Sequence, residues 1–272
     1  MSLTSSWYSR SLIVAALALA ACNPSTVPLE RTEVRADSLR YVIGRTTPFT
    51  GTLIVPRDAA TGVSVNMPYV NGLRDGTAQG LHRNGKPAFA ETWKTGKRDG
   101  ERQEWDSAGR LTRTEHFVDG LREGLMQDFD STGKVILQRP MHADQQEGVV
   151  KTWYASGQQK SEAHYEAGRL AGVMTLWYED GQKRYEGPFA AGKPDGVVNE
   201  WYPNGRPKAR TTWKAGVADG PFTRWYDNGQ KQIEGIYKGT ERTQVKYWSF
   251  DGKPLKKPAV EPAPESPHPP AS

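Results

Sequence analysis

Glycine returns every 24 residues through most of this chain, at Gly76, Gly100, Gly124, Gly148, Gly172, Gly196 and Gly220. Five positions after each of these stands Leu81, Trp105, Phe129, Trp153, Trp177, Trp201 or Trp225. A second glycine set follows at Gly85, Gly109, Gly133, Gly157, Gly181, Gly205 and Gly229. Seventeen positions into each unit comes Trp93, Phe117, Met141, Tyr165, Phe189, Trp213 or Tyr237. A fixed period of roughly 20–50 residues is the signature of a repeat array, in which each unit packs only on its neighbours and no central core forms.

The spacing of the glycines makes each unit a hairpin pair. Asn84-Gly85, Asp180-Gly181, Asn204-Gly205 and Asn228-Gly229 predict two-residue type I′ turns. A further turn glycine stands at Gly96, Gly120, Gly168, Gly192 and Gly216, and the third unit carries Asp144 there. Two turns per 24 residues leave strands of ordinary length. No apolar period of 3.6 residues appears, and glycine recurs too often for helix. The opening glycine falls within a strand, where it marks a bulge or a close backbone approach. The expected fold is therefore all-β: an elongated, twisted antiparallel sheet of successive hairpins. The column Trp105, Trp153, Trp177, Trp201, Trp225 and Trp248 has two readings, mutual stacking as the array's core or an exposed binding ridge. The adjacent Tyr154, Tyr178, Tyr202 and Tyr226 should point to the opposite face, and they are the candidate binding surface.

The two ends differ from the array. Residues 1–21 have the form of a signal peptide: Arg10, then the ten apolar residues Leu12–Ala21, too few to span a bilayer. The segment ends in Leu19, Ala20, Ala21 and Cys22, and Cys22 is the only cysteine. A single cysteine excludes an intrachain disulfide. Residues 22–38, with Pro24 and Pro28, read as a tether. The array is expected over 39–252, with an opening cap at 39–75, repeats at 76–242 and a partial repeat at 243–252. Residues 253–272 contain seven prolines and read as a disordered tail biased to polyproline II.

The formal charge of +5 is spread over the units, with Lys and Arg interleaved among Asp and Glu. That is a solvated face rather than a nucleic-acid patch. His82, His116, His142, His164 and His268 make no metal-binding spacing, and no nucleophile elbow or phosphate-binding loop occurs. The sequence therefore reads as non-catalytic, with no metal, no cofactor, no nucleic-acid partner and no small-molecule substrate.

Two resemblances add to this. The stretch Leu19 to Cys22 resembles a bacterial lipobox, which implies cleavage before Cys22 and a lipid on its thiol; the alternative is an ordinary secretory signal with an incidental cysteine. Asn23 in place of Asp implies, by the same resemblance, the outer membrane facing the periplasm. The unit Gly196, Trp201, Tyr202, Asn204, Gly205, Trp213 and Gly216 resembles the bacterial MORN-repeat variant found in YwqK-family antitoxins, over roughly residues 48–252. The repeat resemblance implies a protein-binding sheet, and the lipobox resemblance implies that it is anchored in the cell envelope. Its expected partner is a toxic effector acting in the periplasm, with membrane contact through the lipid. The alternative is an envelope scaffold or adaptor that contacts other envelope proteins or lipid head groups.

Overall fold

The computed structural model describes residues 26–256. The candidate lipobox and most of the proline-rich segment lie outside the described residues. Nearly every described element is a strand, and all but one short hairpin join a single long twisted sheet. Successive strands pair antiparallel in chain order, so the array is a meander of hairpins. The exception is Thr26–Pro28, which pairs parallel with Gly51–Val55. Part of the segment expected as a tether is thus the first strand of the sheet. Residues Thr32–Val34 and Arg40–Val42 form a separate two-stranded hairpin beside it. At the other end Pro254–Leu255 pair with Tyr247–Trp248, so the last hairpin closes just inside the segment expected as a tail.

The Asn-Gly and Asp-Gly turns are not the type I′ turns expected of them. At the Asn-Gly type of turn, Gly85 N–H donates to His82 O (2.9 Å) and His82 N–H donates to Lys86 O (2.9 Å). Gly85 has φ +80°, while Asn84 is not among the residues with positive φ. This is a three-residue loop with one left-handed glycine, a type I turn closed by a G1 bulge. Type I′ geometry belongs to the other set, where both central residues have positive φ: Thr95 at 47° with Gly96 at 86°, and Ala191 at 49° with Gly192 at 82°. Asp144 takes the glycine place in the third unit at φ 65°. An anchor outside the turn overrides local preference there. The Gly96 N–H donates to Arg74 O of the preceding unit (2.8 Å), and the Asp75 carboxylate accepts from Thr95 N–H (3.0 Å).

The opening glycines do mark bulges. Across the first pair of units, Glu91 stands opposite Arg102 and Trp93 opposite Arg98, so the strand through Gly100 carries two extra residues. Gly100 has φ +116°, and a Cβ there would stand 3.2 Å from Thr92. The last bulge has no glycine; Gln244 holds φ 53° in its place.

One face of the sheet carries the buried side chains. Its aromatic column is the seventeenth position of the unit: Trp93, Phe117, Phe189, Trp213 and Tyr237 are all buried, each opposite an opening glycine. The tryptophan column expected as the core is half-buried, and no ring pair forms within it among the described residues. The reason is strand alternation: the buried seventeenth position pairs with the opening glycine, as Phe189 does with Gly172, and a tryptophan five residues after that glycine is an odd number of steps along the strand, on the other face.

Candidate functional site

The buried face is not uniform, because its apolar packing is interrupted. One cluster joins Phe49, Leu53, Met67, Tyr69, Ala78 and Trp93. A second joins Leu176, Tyr185, Phe189, Val198 and Trp213, and a third Phe222, Ile233, Tyr237 and Tyr247. Between Trp93 and Leu176 the same face carries an ion-pair ladder. Glu91 (4% exposed) accepts from Trp93 Nε1 (3.0 Å) and Arg98 Nε (3.0 Å), and it pairs with Arg102. Arg102 also pairs with Glu104 and lies 3.5 Å from Glu115. Glu115 (6% exposed) accepts from Arg122 Nε at 2.8 Å, and Arg122 reaches Asp144 at 3.2 Å. Arg113 grips Asp128 with two bonds, 2.6 and 3.0 Å. Burial alone would lower the Arg102 pKa, but the hydrogen bond to Glu104 and the charge of Glu91 raise it.

In the third unit Arg139 occupies the position held by Glu91 and Glu115, and its Nε is shielded from solvent without a hydrogen-bond partner among the described residues. Further along, the face opens into a cavity of about 290 Å³ lined by Trp213, Val217, Ala218, Phe222 and Tyr237. Val217 at its rim is 52% exposed. In the second cluster, burial pushes the Tyr185 phenol far above its usual pKa.

The candidate tyrosines form a regular series at the rim. The hydroxyls of Tyr154, Tyr178 and Tyr202 donate to the carbonyls of Trp177, Trp201 and Trp225 at 2.8 Å, and Tyr226 donates to Trp248 O at 3.0 Å. Each tyrosine therefore staples its unit to the next. His82 Nε2 contacts Trp105 O (2.9 Å) at the same place in the first unit. In the second and third units, Asp106 and Asp130 stand there and cap their own turns instead. All four rings are half-buried. Tyr202 and Tyr226 bound an open cleft of about 470 Å³ with Pro203, Asn204 and Asp227. The opposite face carries Leu125, Val149 and Val173, exposed by 47, 37 and 54% at equivalent positions. Sequence reasoning did not single them out, although their recurrence one residue after the opening glycine was the available signal.

No group of three or more His, Cys, Asp or Glu side chains among the described residues is arranged to hold a metal. The arrangement presents surface: a charged stretch, an apolar cavity and a row of rings.

Fold and face together define an open array of β-hairpin repeats. Within that class, residues 146–167, 170–191 and 218–238 match the MORN repeat variant. Repeats of this kind generally bind proteins or membrane lipids and are generally non-enzymatic. A comparison with curated proteins finds no match.

Proposed function

We propose that this is a non-catalytic, lipid-anchored envelope protein that neutralises a periplasm-acting toxic effector by binding it through the patterned face. The cavity beside Trp213, Phe222 and Tyr237 carries this reading. An apolar recess with aromatic walls and an exposed rim is the shape that receives an anchoring side chain of a partner. The tyrosine row of Tyr154, Tyr178, Tyr202 and Tyr226 flanks the array as a second contact strip. Cys22 supplies the anchor, its acyl chains holding the array at the outer membrane facing the periplasm, where such an effector acts. No cofactor takes part beyond the covalent lipid.

The test couples capture to rescue. Residues 23–272 are used to capture partners from envelope extract, and the captured enzyme is then produced in the periplasm with and without the full chain. The reading requires a single stoichiometric enzyme whose toxicity the chain suppresses, with Val217→Glu abolishing the suppression. Recovery of several abundant envelope proteins, with no toxicity to suppress, replaces immunity with a scaffold or adaptor role.

A further inference from the structure

We propose that Arg40, Arg74 and Tyr69 form a binding site for a phosphate group at the first end of the array. This site lies outside the segments that match the repeat family, and it does not rest on the immunity reading. The cap folds so that two arginines from different strands converge on one oxygen. Arg40 Nε donates to Tyr69 Oη at 3.3 Å, and Arg74 Nε donates to the same atom at 3.4 Å. Tyr69 is buried, fixed against Phe49 with ring centroids 5.9 Å apart.

Both guanidiniums are held in place by further contacts. Arg40 lies over the Tyr69 ring at 5.5 Å and donates through Nη1 to Thr32 Oγ1 (2.7 Å). Arg74 lies over Trp93 at 4.5 Å. Both arginines are only half-exposed, and neither makes an ion pair among the described residues. The nearby carboxylates are committed elsewhere: Glu33 to Arg35, Asp37 to Tyr41, and Asp75 to Thr95 N–H.

The next arginines along the same face follow the opposite rule. Arg98 and Arg122 also stack on rings, over Trp93 and Phe117, but each has its glutamate, Glu91 and Glu115. An alternating column of arginines and rings therefore runs through the cap and the first units, and its carboxylates are missing only at the outer end. Two preorganised cations side by side without an anion attract one of double charge. A phosphate monoester carries about −1.5 to −2 near neutral pH and offers three acceptor oxygens. The nitrogens left over after Tyr69 and Thr32 are satisfied, Arg40 Nη2 and both Nη of Arg74, would donate to it.

The ligand source is either a soluble phosphate or a lipid headgroup, and the test separates them. Inorganic phosphate is titrated into residues 23–272 by calorimetry at low salt, alongside flotation with vesicles of phosphatidylcholine with and without phosphatidic acid. The expected result is saturable binding that weakens with salt and falls at least about tenfold in Arg40→Gln and Arg74→Gln. The surface variant Arg110→Gln should bind as the parent does. Dependence on the two arginines in the phosphate titration assigns a soluble source, and dependence in the vesicles alone assigns a headgroup. Where Arg74→Gln does not fold by circular dichroism, Arg74→Lys keeps the charge without the planar fork and should still weaken binding several-fold. Absence of binding to both probes, or binding indifferent to both arginines, overturns the proposal. So does a polyglutamate peptide that binds the cluster in preference to phosphate.

Discussion

Replacing Glu91 by alanine should destabilise the array far more than a polar surface change would. The Glu91 carboxylate is 4% exposed and holds three donors: Trp93 Nε1, Arg98 and Arg102. Removing one partner of a buried ion pair costs about 3–5 kcal/mol, because the other charge stays buried and uncompensated. An indole N–H left unpaired adds about 1–3 kcal/mol. Arg98, with 38% of its side chain exposed, recovers part of this by turning to water; Arg102, at 18%, recovers less. The net loss should therefore lie near 3–4 kcal/mol. With a urea slope of about 2 kcal/mol/M, the unfolding midpoint falls by about 1.5–2 M. The backbone at this position does not itself require a carboxylate, since Ala163, Gly187, Thr211 and Gly235 occupy it in other units. The requirement comes from the arginines. In an Arg102→Met background, Glu91→Ala should accordingly cost about 1–2 kcal/mol less than in the parent. A single-variant loss below about 1 kcal/mol, or full additivity in the double variant, would refute the claim that the ladder holds this stretch of the face together.

Other consequences are smaller. Tyr178→Phe removes the bond to Trp201 O while keeping the ring, and should cost about 0.5–1.5 kcal/mol in urea unfolding. Ala191→Asn should stabilise by about 0.5–1 kcal/mol, because Ala191 sits at φ 49° and asparagine adopts that region more readily. The family-like change Asp144→Gly should bring no such gain, because Asp144 accepts from both the backbone N–H and the guanidinium of Arg122. His142 has its pKa raised by its hydrogen bond to Glu123, whose own pKa is lowered by the same bond. The histidine contribution to stability is therefore complete below its ordinary value of 6.5 and disappears as pH rises through the higher folded value. The glutamate contribution is lost at the acid end, as pH falls through its lowered folded value. An NMR titration of His142 should show the raised midpoint, and Glu123→Gln should bring it back toward 6.5.

The period was legible because glycine has a physical job that no other residue does as well. Each opening glycine stands in a bulge at positive φ, and there is no room for a side chain where a Cβ on Gly196 would stand 2.6 Å from Pro188 and one on Gly220 3.0 Å from Thr212. That fixed the unit length, the hairpins and the sheet. The details that escaped are those set by neighbours in space. A two-residue motif such as Asn204-Gly205 does not reveal which turn it makes, because the choice depends on where the flanking strands slip. Here the slip falls between Glu200 and Trp201 and lengthens the loop to three residues. The core lies at the less regular seventeenth position, opposite the opening glycine, rather than in the conspicuous tryptophan column, and Met141 and Tyr165 break its run of buried rings.

The candidate site was hidden for a related reason. A residue such as Arg74 looks like any dispersed surface charge in a one-dimensional reading. Only the pairing of Tyr69 with Arg74 brings it beside Arg40, 34 residues earlier, on a common phenol. Regular repeats thus display their scaffold openly and conceal what is specific in departures from regularity. The departures here are the cap arginines that have no carboxylate partner among the described residues, the ladder that interrupts the apolar clusters, and the cavity between Trp213 and Tyr237. A partner that recognised only the shared repeat would contact every unit alike. Recognition of one partner must therefore draw on these unequal places, and it is there that substitutions should separate binding from folding.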